Sequence, residues 1–465
     1  MYSLLAERFG MTAHKYAIQS LTDAVMSFQL EAIPADVLNL AKRSLIDVCG
    51  VTLAGAKTKS AKLLFETAAQ TYGAGNCDIV GSSFRMNAPG AAFANGAAAH
   101  ALDFDDNCYA GIVHGSAVVF PAALAVAQQR GTTGSKLLLG FLTGMEVEFA
   151  VARALSNSIY DKGWWTTSVL GAIGSAAGAA KVFSLNREMT EHALSLAAVG
   201  AGATRTVRGT SAKHYYCGRA AELGVVATIA AMQGATGPAN VFEDRSGIAQ
   251  VLNDGIFDPT ALETLGEGYG ITNPGVDIKK YPVCYASHAT ADAVKEIMDV
   301  NGLQAGDVAS LTCTIPRVVA SNLTYTNPRT VAEAQFSLHF AIASIVLHGD
   351  ITLEHLTAEV LSSASIKRLM KRIDVKVDDI PEQYKSSRLI CPEWGYVELA
   401  TQCGALRCCF VGSPVGSALR PMSNEMLKKK FNACAQYCNC NSSDFALYDK
   451  ILNIEHLQNV QDLFS

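Results

Sequence analysis

From residue 33 to residue 233 the chain keeps one pattern, apolar residues at helical spacing with Ala and Gly in many of the positions between them. This constrains the fold more than any single motif does. Small side chains let helix axes approach closely, so a compact all-helical core is the natural outcome. Ile33-Pro34-Ala35-Asp36 reads as a helix start, with Pro in the first turn. Helical spacing then predicts helices over 37–54, 59–72, 91–102, 121–129, 136–156, 169–183, 190–203 and 219–233.

The texture changes at the turn cluster Asn273-Pro274-Gly275. Short β-branched or alternating segments follow at 308–315, 373–377, 396–399 and 405–411, the last two reading as a hairpin around Gly404. Helical stretches at 286–300 and 331–347 lie between them. This is an α+β unit the size of one small domain. Beyond Gly412-Ser413-Pro414 the pattern is helical again, at 424–435 and 443–459, and this tail is expected to dock back on the N-terminal helices.

Charge narrows the function. Only 17% of the 465 residues are charged and the net charge is −5, so there is no basic footprint for nucleic acid. Positive charge that serves an anionic substrate must be local. Thirteen cysteines are scattered, with one group at Cys434, Cys438 and Cys440. Their spacing is not that of zinc ligands. The odd count and the lack of a signal peptide point to reduced thiols in a cytoplasmic protein, and no apolar run is long enough to span a membrane.

Between His100 and Pro121 the sequence HALDFDDNCYAGIVHGSAVVFP sets Asp103, Asp105 and Asp106 beside apolar flanks, with His114 following. Buried carboxylates are costly unless paired. Caps, a loop cluster, a metal site and an acid–base site all fit that pattern. Two distant lysine-bearing stretches favour the last.

Those stretches carry a resemblance. The segments AAFANGAAAHALDFDD (91–106), HGSAVVFPAALAVA (114–127), GWWTTSVLGAIGSAAGAAK (163–181), KHYYCGRAAELG (213–224), KKYPVCYASH (279–288) and NPRTVAEAQFSLHFAIASIVLHGDI (327–351) stand in the order found in the MmgE/PrpD family. That family includes 2-methylcitrate dehydratase, cis-aconitate decarboxylase and iminodisuccinate epimerase. The resemblance implies a mainly α protein. A large all-helical domain (1–273 plus 413–465) would carry an inserted α+β lid (274–412), with the active site in the cleft between them. It also implies a homodimer and no metal or other cofactor.

Carried over residue by residue, the resemblance makes Asp103, His114, Lys213 and Lys279 the catalytic set. Asn107, Trp165, His214, Tyr216 and Lys280 are the substrate-binding candidates. If the segment is helical, Asp106 shares a face with Asp103 and Asp105 points elsewhere. Lysines in a desolvated cleft would hold a di- or tricarboxylate, and Asp103 and His114 would move protons beside a carboxylate. Taken alone, each lysine reads as solvated and each aspartate as a cap. Trp165 stands where the family commonly has histidine, His214 where it usually has proline and Tyr216 where it usually has histidine, and a lid tyrosine of the animal decarboxylase falls near Ala320. The implied activity is a lyase, dehydrating an alkylcitrate or decarboxylating cis-aconitate. An epimerase of an imino- or amino-dicarboxylate is the alternative, and a non-catalytic relative the third reading.

Overall fold

The structure, a computed structural model, describes residues 15–387, 390–438 and 442–464. Cys440 and residues 1–14, on which the reading of the N-terminus rests, lie outside them. The helical part comprises α1 (Ala17–Ser27), α2 (Ala35–Gly55), α3 (Lys59–Thr71), α4 (Ala88–His100), α5 (Gly115–Arg130), α6 (Gly134–Leu155), α7 (Thr166–Phe183), α8 (Arg187–Gly200) and α9 (Ser211–Met232). A two-residue ribbon, β1 (Cys77–Asp78) with β2 (Arg85–Met86), sits between α3 and α4. Among the described residues no helix is long and apolar enough to cross a membrane.

Small residues explain how these helices pack. The α4 helix is capped by Asn87, whose side chain accepts from Gly90 N, and is buried along almost its whole length. A Cβ added at Gly218 of α9 would lie 2.4 Å from the Phe93 carbonyl oxygen of α4. The backbones of α4 and α9 therefore touch at a distance only glycine allows. The helix expected from Pro121 starts six residues earlier, at Gly115, and runs through the proline. Burial of α5 on all sides outweighs the backbone bond that Pro121 cannot donate. Likewise α9 starts at Ser211 rather than at 219, so Lys213 and His214 lie in its first turn.

The second unit holds α10 (His288–Asn301), β3 (Val308–Ile315), α11 (Leu338–His348), β4 (Ile373–Val377), β5 (Gly395–Thr401) and β6 (Leu406–Val411). Its sheet runs β4-β3-β5-β6, with β3 parallel to β4 and the other pairs antiparallel. The single helix expected over 331–347 is divided at Ser337, whose hydroxyl caps α11 at Phe340 N. This unit buries its own core, which includes Tyr281, Leu311, Phe340 and Val397. The chain enters and leaves it side by side, where Ile278 N donates to Gly416 O (2.8 Å) and Asp277 Oδ1 accepts from Ala418 N (2.7 Å). Then α12 (Asn424–Tyr437) returns to the helical part, packing Phe431 against Gly50 of α2, and α13 (Ser442–Leu452) follows. The molecule is mainly α, with its four-stranded sheet confined to the C-terminal part.

Candidate active site

The α4 helix stops at His100, and the next residues turn sharply into the bundle. Asp103 has φ +49°, a left-handed conformation uncommon for a residue with a side chain. Such strain is a frequent mark of functional loops. It also removes the premise that Asp103 and Asp106 share a helical face. The two aspartates diverge, and it is Asp105 that turns toward the histidines.

Asp103 is buried between two lysines. Its Oδ1 pairs with Lys213 Nζ from α9, and its Oδ2 lies 3.3 Å from Lys279 Nζ. Lys279 is 0% exposed and also donates to the Asp103 carbonyl at 2.9 Å. Burial alone would raise the Asp103 pKa, but Lys213 and Lys279 reverse this and hold it well below the usual carboxylate range. Lys279 is lowered by burial and raised further by Asp103 and Asp105, so it stays charged.

Behind this triad lies a histidine–carboxylate relay. His100 Nδ1 is 2.7 Å from Asp105 Oδ2, and His114 Nδ1 is 3.5 Å from the same oxygen. Burial, with Lys213 beside His100 and Lys279 beside His114, pushes both imidazoles well below their ordinary value. Both are neutral at physiological pH. His114 Nδ1 lies 2.6 Å from the Asp106 carbonyl oxygen, which can only accept, so this nitrogen carries the proton. That leaves Nε2 as the basic nitrogen of a ring that lines the cavity.

Asp106 faces inward. It accepts from Ser116 N at the start of α5, and burial with Asp105 nearby raises its pKa to about 8.

His100, Asp105 and His114 have the composition of a metal-ligand set, with donor atoms within 4.8 Å of one another. However, His114 Nδ1 is committed to the Asp106 carbonyl, and two ammonium groups adjoin the cluster. The donor set suits a hydrogen-bonded relay better than a dication.

Asp103, His114, Lys213 and Lys279 line a cavity of about 40 Å³ between the helical part and the α+β unit, whereas His100, Asp105 and Asp106 are not among its lining residues. Trp165, just before α7, packs its ring 5.5 Å from His100, and Lys213 Nζ lies 4.9 Å from the Phe336 ring centre. Asn107 lines the cavity and is bridged to Asp277 through both backbone and side chain. His214 is buried beside His100, at 6.1 Å between rings, and burial with Lys213 lowers its pKa to about 4.

His214 is thus beside the site but not on the cavity's lining, and two further binding candidates fall elsewhere. Tyr216 is 38% exposed and packs on Tyr215. Because α9 starts before Lys213, residue 216 lies on its outer face. Lys280 points the opposite way from Lys279, pairing with Asp292 at 2.8 Å and lining a separate cavity of about 450 Å³. A larger cavity of about 800 Å³, bordered by Arg329 and Lys371, contains none of the converging groups. The small cavity is the candidate site because charged and perturbed groups meet there.

Sequence reasoning missed several lining residues: Arg205, Arg208, Cys284, Asn322 and Glu393. The two arginines were legible as cations shortly before Lys213. Asn322, the last residue of a short helix (Arg317–Asn322), and Glu393, in the turn before β5, come from the α+β unit and carry no local signal.

Comparison with known proteins identifies the family. The MmgE/PrpD N-terminal domain model matches residues 19–259, and the MmgE/PrpD C-terminal domain model matches residues 281–444. A cis-aconitate decarboxylase of Homo sapiens is 26% identical over 480 aligned residues, covering 100% of this chain and 93% of that protein. A cis-aconitate decarboxylase-like protein of Aspergillus oryzae, oryM, is 24% identical over 73% of this chain and 75% of its own length. A cis-aconitate decarboxylase of Aspergillus terreus is 25% identical, over 57% of this chain and 56% of its own length.

Proposed function

The chain belongs to the MmgE/PrpD family, and we propose that it is a lyase acting on a small di- or tricarboxylic acid, with decarboxylation of cis-aconitate as its favoured reaction. The observation that carries this reading is the buried Lys213–Asp103–Lys279 triad, facing a covered cavity beside a neutral His114. Two fixed ammonium groups in a desolvated cleft are suited to substrate carboxylates. The names of the similar proteins favour decarboxylation over dehydration.

In this mechanism Asp103 is not the acid. It stays ionised and holds both lysines in place. The bond between substrate carbon and the departing carboxylate breaks, carbon dioxide leaves, and the electron pair remains on carbon. The Lys213 ammonium delivers a proton to that carbon, and the amine regains its proton from water when the cleft opens. His114 Nε2, the basic nitrogen of the ring, would be the base if a substrate hydroxyl were lost instead.

Proton NMR in deuterium oxide tests the reading, with cis-aconitate, 2-methylcitrate, citrate and iminodisuccinate as substrates. New vinyl signals of a decarboxylated product from cis-aconitate are expected, abolished in Asp103→Asn and Lys213→Ala. Deuterium wash-in on an unchanged iminodisuccinate skeleton would replace the lyase with an epimerase. No reaction with any of the four acids would remove the proposal.

A further inference from the structure

In the cavity that the lysine triad lines, two arginines converge on a neutral amide. Asn322 Oδ1 accepts from Arg205 Nη2 at 3.0 Å, from Arg208 Nη1 at 3.3 Å and from the Tyr160 hydroxyl at 2.6 Å. Arg205 also lies over the Tyr160 ring, 3.8 Å from its centre, and its buried Nε has no acceptor. The arginine ion pairs found among the described residues are those of Arg85, Arg187 and Arg219. Arg205 and Arg208 are in none. Two guanidinium groups and a phenol therefore meet at one amide oxygen, an arrangement whose natural acceptor is a carboxylate.

Asn322 belongs to the α+β unit, and the arginines to the loop before α9. Its Nδ2 donates to Glu393 at 3.2 Å, and Glu393 accepts from the Tyr109 hydroxyl at 2.9 Å. The amide thus ties the two walls of the cleft together. The cavity it closes, about 40 Å³, has room for a water molecule or so and not for a six-carbon acid. Whatever binds must part these contacts first.

We propose that Arg205 and Arg208 form a second carboxylate subsite, occupied in the closed cleft by Asn322 Oδ1, so that the preferred ligand carries a carboxylate besides the one held at Lys213 and Lys279. This rests on the reading of the cleft as a polycarboxylate site, and it adds a requirement for carboxylate number and spacing. The ligand exchanges the amide for its own carboxylate, converting a direct latch between the walls into one bridged by ligand.

Calorimetric titration with three unreactive acids tests this: tricarballylate, succinate and butyrate. The intact protein should prefer tricarballylate to succinate and succinate to butyrate. Arg205→Gln and Arg208→Gln should each lose about tenfold in tricarballylate affinity, the order of one charge-assisted contact, with little change for butyrate. Arg208→Lys should recover part of the loss. Lys213→Ala should weaken all three acids alike. Asn322→Ala, which removes the amide oxygen that competes with a ligand carboxylate for the two arginines and leaves their bonds to Tyr160 O and Ser321 O in place, should bind tricarballylate more tightly, a sign that general damage to the cleft would not produce. Folded arginine variants with the intact protein's ratios among the three acids would overturn the subsite. So would an intact protein that does not distinguish the acids. The subsite stands if the selectivity is present and arginine-dependent even when no acid is turned over, in which case the lyase reading alone fails. Turnover of cis-aconitate with unaffected arginine variants would instead remove the subsite and leave the lyase reading in place.

Discussion

Asp103 and Asp106 are three residues apart and behave in opposite ways. Asp103 stays ionised between two lysines, whereas Asp106 keeps its proton up to a pH of about 8. Glu146 and Asp277 are likewise raised by burial, each to about 7. The unfolded chain gives up these protons near pH 4, so between pH 6.5 and 8 the folded chain binds more protons and stability falls as pH rises. The buried neutral histidines act in the other direction, but only below about pH 6.5. Each group contributes a slope of at most about 1.4 kcal/mol per pH unit until its own folded pKa is passed. Asp106→Asn, a neutral isostere, should flatten the decline of melting temperature between pH 6.5 and 8. An unchanged slope would mean that Asp106 is ionised in the folded chain. The sequence showed that these carboxylates needed partners. It could not show which partner each would take, because a single left-handed residue at 103 reorients the three.

Among the elements, the long helices were legible because apolar spacing persists over many turns. Their starts were less so. Pro121 and the polar first turns of α9 resemble boundaries, and only burial shows that α5 and α9 extend past them. The Ala and Gly content proved to be a contact requirement at the crossing of α4 and α9. Gly218→Ala ought to gain about 1 kcal/mol in helix propensity. Instead a net loss of roughly 1–3 kcal/mol from overpacking is expected, because the new Cβ would meet the Phe93 carbonyl at 2.4 Å. Urea unfolding measures it, and a stabilised variant would show that the two backbones are not in contact.

At the scale of the whole molecule, α12 supports the aspartate loop of the site. Lys430 of α12 pairs with the buried Asp47 of α2 at 2.6 Å and donates to the Phe104 carbonyl at 2.8 Å, in the middle of the aspartate loop. Removing one partner leaves an uncompensated buried charge. Lys430→Met should therefore cost about 3–5 kcal/mol, and the Asp47→Asn, Lys430→Met double variant should recover much of that. Thermal and denaturant unfolding of the four proteins in the cycle would report it, and strictly additive losses would rule out the coupling. The 450 Å³ cavity that Lys430 borders with Lys280 and Phe104 adjoins this same support.

The sequence by itself determined the mainly helical fold and the short strands of its C-terminal part, because spacing and composition act locally. Its motifs also supplied the family and picked out the Asp103, Lys213 and Lys279 that meet in the cleft. Tertiary structure alone decided that Asp105 rather than Asp106 faces the histidines, that Lys280 and Tyr216 turn away, and that Arg205, Arg208, Asn322 and Glu393 line the same cavity. Those outcomes depend on backbone reversals and on the docking of one unit against another, which bring together residues that no local pattern connects.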